Sequence, residues 1–163
     1  MPTTMAPSKK RVSLEAIKAL REKTSASLND VRQALEAAGG DERKAMEVLR
    51  QRGADIAQKR QGRATGQGRI EAYIHHDGRL GALVEIGCET DFVARTPEFA
   101  QFCRDVAMQA AAMHPADVPG LLGQPFVKEP SQSVQDVLKA LIAKTGENVV
   151  IKRFTAFGVG DAA

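Results

Sequence analysis

Glu89-Thr90-Asp91-Phe92-Val93-Ala94-Arg95 lies where the character of the chain changes. Before it, Leu80, Ala82, Val84 and Ile86 alternate with Gly81, Leu83, Glu85 and Gly87, the period-two pattern of a β-strand that runs to Cys88. After it, Thr96-Pro97-Glu98 is a helix start, with Thr as the cap and Pro at the first helical position. An acid and a large aromatic therefore stand side by side where a strand hands over to a helix, a kind of connection in which binding residues concentrate. Asp and Phe want different surroundings. Local chemistry leaves two readings open: Phe92 tucked under the sheet beside a solvated Asp91, or the pair presented to a partner.

Upstream, Ile70, Ala72 and Ile74 alternate with Glu71, Tyr73 and His75, and Asp77-Gly78 reads as a two-residue type I′ turn. The spacing predicts an antiparallel hairpin with Ile70, Ala72 and Ile74 on its apolar face. His75 and His76 are adjacent in a strand and point to opposite faces, which is poor geometry for a shared metal. Downstream, Phe99, Phe102, Cys103, Val106, Ala110 and Met113 form a helical stripe that covers the hairpin, ending at His114-Pro115. Residues 115–132 hold four of the seven prolines and read as an extended connection. Ser133 opens a second helix with Val134, Val137, Leu138, Leu141 and Ile142 inward, closed by Thr145-Gly146. Glu147 to Phe157 is β-branched and aromatic and reads as a third strand. The expected fold class is α+β: a three-stranded antiparallel sheet packed against helices over residues 70–158, with a tail at 159–163.

The front of the chain differs. Residues 1–12 read as a disordered tail. Ser13 caps a helix with Leu14, Ile17 and Leu20 on its apolar side. Ser27 and Asp30 have capping-box spacing and open a second helix with Leu28, Val31, Ala34, Leu35 and Ala38 on one stripe, stopped by Gly39-Gly40. Asp41 starts a third, with Ala45, Val48 and Leu49 inward and Gly53 at its end. Helices this short must pack together to persist, so residues 13–56 read as a three-helix module with a thin core, suited to docking. Residues 57–69 read as a basic linker, or as a helix extension running into a loop. They contain no Walker A spacing, so no nucleotide binding is expected there.

Charge follows the same division. The 163 residues carry 23 Lys/Arg and 20 Asp/Glu, a net charge of +3. Residues 1–69 hold 15 basic against 8 acidic side chains and residues 70–163 hold 8 against 12, balances of +7 and −4. Cys88 and Cys103 have neither disulfide-framework nor metal-ligand spacing. No apolar run is long enough to span a bilayer, and no apolar leader follows Met1; the chain reads as cytoplasmic. No nucleophile elbow, paired His ligands or phosphate loop occurs, and Asp91 with Glu89 has no third group to complete acid–base chemistry. The expectation is a binding module rather than an enzyme, with no cofactor and no bound metal.

Several motifs, in order, carry a resemblance: Leu20-Arg21-Glu22-Lys23-Thr24, Gly40-Asp41, Leu49-Arg50 followed by Gly53, Glu89-Thr90-Asp91-Phe92-Val93-Ala94, Gln124-Pro125-Phe126-Val127 and Gly146-Glu147-Asn148. From Leu14 to Gly158 the chain resembles the bacterial elongation factor Ts family, the nucleotide-exchange factors of elongation factor Tu. The resemblance implies that the helical module is ubiquitin-associated-like. It implies that Thr90, Asp91, Phe92 and Val93 enter the G domain of elongation factor Tu near its nucleotide phosphates and Mg²⁺, dislocating the ion and releasing GDP. Arg21, Leu28 and Asn29 fall where the helical module of the family touches the partner. At Leu28, core and contact readings compete. Gln109 falls where some members carry a contacting His.

The chain departs from the family between Pro115 and Leu121, where members commonly carry a helical insertion before the Gln-Pro-Phe-Val stretch. It resembles a short form with one core half. A single three-stranded sheet leaves an edge strand open, and some short forms pair, so a homodimer joins the expectations. The alternative function from the residues alone is an RNA-binding, ribosome-associated module that uses the basic front half, with Lys59, Arg60 and Arg63 as its contacts.

Overall fold

The structure is a computed structural model that describes residues 12–24 and 26–161. The tail read at 1–12 lies outside the described residues except for Val12, and the one at 159–163 is described only to Asp161. The chain divides into two compact units, at Gly53 and Ala54.

The first unit contains α1 (Leu14–Thr24), α2 (Leu28–Ala37) and most of α3 (Glu42–Arg60). Each helix start is capped by the side chain the sequence offers. Ala16 N donates to Ser13 Oγ at 3.1 Å, Asp30 N to Ser27 Oγ at 3.1 Å, and Lys44 N to Asp41 Oδ1 at 3.0 Å. The core is Ile17, Leu20, Val31, Ala34, Leu35 and Ala45, with Val48 and Leu49 partly buried against it. Leu14 and Leu28 are not part of it: both are exposed. Each is the first residue of its helix. Side chains tilt toward the N-terminus of a helix, so a first-turn residue leans past the end of the packed face.

The second unit takes in the end of α3 and then β1 (Gln67–Ile74), β2 (Leu80–Cys88), α4 (Asp91–Ala94), α5 (Pro97–Met113), α6 (Val118–Gly123), β3 (Pro125–Phe126), β4 (Glu129–Ser133), α7 (Val134–Thr145) and β5 (Val149–Gly158). The antiparallel sheet has the order β1-β2-β5, with β2 in the centre. Its inner face, Ala82, Val84, Ile86, Cys88, Val149 and Ile151, packs on Phe99, Phe102, Cys103, Val106 and Ala110 of α5 and on Leu138, Leu141 and Ile142 of α7. Gly68 lets β1 approach β2 at its start: a Cβ there would sit 2.2 Å from Ile86 O, and φ is +152°.

The segment 57–69 is the last turn of α3, a loop and the first residues of β1, so of its two readings the helix extension running into a loop is the one formed. Three expectations are corrected in this unit. Ile70 and Ile74 face outward, at 64% and 69% exposure, while Glu71, Tyr73 and His75 are half-buried on the inner side. The cause is register. Tyr73 pairs with Ala82 and Glu71 with Val84, and directly opposed residues share a face, so the strongly apolar β2 assigns β1 its inner set. The hairpin is closed by the loop His76–Arg79, with Gly78 N donating to His75 O at 2.8 Å and only Gly78 at positive φ, +69°. Residues 115–132 are not simply extended. Asp117 caps α6 by accepting from Gly120 N at 2.7 Å, Leu121 is fully buried, and β3 and β4 form a small hairpin.

Candidate functional site

β2 ends at Cys88, and α4 begins three residues later. Thr90 makes the change of direction. Its backbone is extended, φ −124° and ψ 156°, and its Oγ1 accepts from Val93 N at 3.4 Å. Asp91, Phe92, Val93 and Ala94 then form one helical turn. Val93 and Ala94 pack against the core, and Thr96 closes the turn by donating from N to Val93 O at 3.0 Å while capping α5 through Phe99 N, 3.2 Å from Thr96 Oγ1. On this turn Asp91 and Phe92 are left on the outside.

Phe92 is 81% exposed, so the structure rejects the reading that tucks it under the sheet. Asp91 is half-buried and pairs with Arg95, Oδ2 to Nη2 at 3.2 Å. A large aromatic held out on a turn beside a carboxylate offers apolar area and an acceptor together. Such a pair can enter a cleft lined by apolar and donor groups.

A four-residue helix cannot hold itself, and the surrounding contacts explain why it stands. Glu147, just past the left-handed Gly146 that ends α7 (φ +71°), accepts from Glu89 N at 3.1 Å and Thr90 N at 3.0 Å through Oε2, and from Thr90 Oγ1 at 2.5 Å through Oε1. Glu89 reaches back, its Oε1 accepting from Asn148 N at 2.7 Å. Asn148, which is buried, donates from Nδ2 to Arg63 O at 2.8 Å, and Arg63 Nη1 lies 3.6 Å from Glu89 Oε2. Arg63, a candidate RNA contact by sequence, therefore braces the loop. Beneath it, Cys88 Sγ donates to Thr90 O at 3.2 Å. Burial pushes the Cys88 thiol up, helped by the Glu147 carboxylate, and burial pushes Cys103 up to about 12. Both remain neutral thiols at neutral pH, without nucleophilic character.

Thr90, Asp91, Phe92 and Val93 are thus brought together at one place in the second unit. Arg21 and the pair Leu28 and Asn29 flank the α1–α2 connection in the first unit, all three exposed, with Leu28 at 55%. The competition at Leu28 is resolved against the core. Gln109 is corrected: it has no exposed surface with which to touch a partner. Its Nε2 donates to Gln124 Oε1 and Pro125 O, each at 3.1 Å, and its Oε1 accepts from Val127 N at 2.9 Å. It pins the Gln124–Val127 segment to α5. Among the described residues no group of three or more His, Cys, Asp or Glu is placed to hold a metal ion, and no helix is long and apolar enough to cross a membrane.

Residues 89–163 match the family described as Elongation factor TS. Over most of its length the chain is similar to curated proteins named Elongation factor Ts. It is 42% identical to that of Rubrobacter xylanophilus, over 88% of this chain and 97% of the relative. It is 41% identical to that of Carboxydothermus hydrogenoformans, over 92% and 90%, and 38% identical to that of Thermotoga petrophila, over 92% and 97%. The 189 aligned positions of the first exceed the 163 residues of the whole chain, so that relative carries stretches this chain lacks.

Proposed function

This chain belongs to the elongation factor Ts family of translation factors, and on that premise we propose that it is a guanine-nucleotide exchange factor that binds elongation factor Tu carrying GDP. The observation that carries the proposal is the exposed Phe92, set beside Asp91 on a turn fixed at the end of the central strand. GDP phosphates are held by backbone amides and by Mg²⁺, a hard cation that demands near-octahedral oxygen ligation. Phe92 enters between elements of the G domain and shifts them. Asp91 acts on the phosphate side through charge and hydrogen bonding. The Mg²⁺ ligation fails and GDP leaves. Arg21, Leu28 and Asn29 dock the helical unit on the same partner. The chain performs no chemistry of its own and binds no nucleotide itself.

Coupling of this kind is reciprocal: a factor that weakens GDP binding must itself be weakened by GDP. The test is titration calorimetry of the chain into elongation factor Tu from the same organism, nucleotide-free and GDP-saturated. Affinity at least tenfold weaker with GDP is expected. Equal affinity in both states would overturn the proposal.

We further propose that two copies pair through the outer face of the sheet. Ile70, Ile74, Leu83 and Phe157 make that face apolar, and its Glu85 and Arg153 neutralise one another at 2.6 Å. A two-fold pairing sets identical faces together about 10 Å apart. Sedimentation equilibrium is expected to give twice the chain mass, and Phe157→Asp the single mass. A monomer at all concentrations, or a dimer indifferent to Phe157→Asp, would contradict the pairing.

A further inference from the structure

We propose that Glu147 is the positioning residue of the exchange site: it presets the Thr90–Val93 turn in its binding-competent conformation, and so determines how tightly the factor engages its partner. The inference rests on the exchange reading above. It arises from a long-range connection that no local feature of the turn would require.

The Thr90–Val93 turn has little to hold it from within. None of the four residues of α4 is fully buried. Its cap acceptor, Thr90 Oγ1, is a hydroxyl free to rotate in principle. Glu147 removes that freedom. Its Oε1 accepts the hydrogen bond donated by the Thr90 hydroxyl, which turns that oxygen's lone pairs toward Val93 N. Its Oε2 takes the two successive amides of Glu89 and Thr90. An ionised carboxylate is acceptor-only and can satisfy all three donors at once. The return bond from Asn148 N to Glu89 Oε1 makes the lock two-way, so residues 89–90 and 147–148 cannot slide past one another without breaking both. The result is a loop ordered before any partner arrives, with Phe92 on its free side.

Preordering has a specific kinetic signature. If only a fraction of molecules hold the competent turn, apparent affinity falls by that fraction, while the bound complex is unchanged. Glu147→Ala is therefore expected to raise the concentration giving half-maximal acceleration of GDP release by roughly tenfold, the scale of one charged hydrogen bond. The release rate at saturation should stay near that of the wild-type chain. Glu147→Gln keeps one acceptor for the two amides and can only donate to Thr90 Oγ1, so it should fall between the two. A residue that contributes to overall folding alone would not split the two kinetic quantities in this way.

Both variants, in the full chain, would be compared with wild type for GDP release across a concentration series, and for deuterium uptake at residues 89–95. Faster uptake confined to that segment, with the half-saturation shift, is the expected result. Unchanged uptake and half-saturation in Glu147→Ala would overturn the inference. So would a lowered saturating rate with half-saturation unmoved, which would make Glu147 a direct participant. Should Glu147→Ala fail to fold, the Gln variant carries the same comparison. A wild-type chain that leaves GDP release unchanged would overturn the exchange reading instead, and the uptake of residues 89–95 would still report whether the clamp orders the turn.

Discussion

Phe92→Ala is expected to abolish most of the acceleration of GDP release while leaving the thermal stability of the chain where it is. The two halves of that expectation come from one observation. With 81% of its surface exposed, Phe92 gives its own fold little to lose, and a surface truncation of this kind changes stability by no more than about 0.5 kcal/mol. The same exposed ring is the large apolar group on the Thr90–Val93 turn. Anchors of that type, desolvated in a partner's cleft, are worth roughly 2 kcal/mol or more, so the exchange efficiency of the variant should drop by about 30-fold or more. Asp91→Ala should cost less, since the side chain shares its charge with Arg95 and is already half-buried. Stopped-flow release of a fluorescent GDP, with melting followed by circular dichroism, reads both halves. A variant that loses stability and keeps exchange would reverse the assignment.

Phe99→Ala, seven residues on, should do the opposite. Phe99 is fully buried under the sheet at the first turn of α5. Truncating a packed Phe removes transfer free energy and leaves a cavity, a loss of about 3–5 kcal/mol. Against the roughly 5–15 kcal/mol that keeps a typical domain folded, this is the largest single-site stability effect expected in the second unit. The melting temperature should fall by on the order of 10 °C. Because Phe99 N also donates to the Thr96 cap, the backbone start of α5 should persist in the variant. Exchange activity well below the melting point should therefore survive. A shift below about 1 kcal/mol in denaturant titration would mean that the α5–sheet core can close over the space, and would contradict the packing described here.

The contrast between the two phenylalanines marks what sequence patterning can and cannot carry. Phe99 belongs to a stripe with Phe102, Cys103, Val106 and Ala110, and a stripe five residues deep states its own orientation. Phe92 lies in a four-residue turn, too short for any period, so its outward placement needs the fold. The same limit appears in β1. Its alternation was plain, but alternation does not say which side is inside; the register against Tyr73–Ala82 and Glu71–Val84 decides that, against the more apolar set. Leu14 and Leu28 sat on correct stripes at positions where a helix cannot use them. The buried role of Gln109 is not legible locally because its partners, Gln124, Pro125 and Val127, are 15 to 18 residues away. In the sequence Glu147 reads as the first residue of the third strand and as part of a family motif; β5 begins only at Val149, which leaves Glu147 free to face the loop. Its donors lie 57 and 58 positions upstream, and no local pattern encodes a contact at that distance. The one local hint is Gly146, whose left-handed conformation turns the chain out of α7 and delivers the next side chain to the loop.

The central claim is that this chain drives GDP from its partner by direct engagement, with the lever on the Thr90–Val93 turn. The most direct measurement is the rate of fluorescent GDP release from elongation factor Tu of the same organism, followed by stopped flow as the concentration of the wild-type chain is raised at constant Mg²⁺. The account predicts a release rate that climbs steeply from the spontaneous value and saturates. A rate that stays at the spontaneous value at every concentration would contradict it.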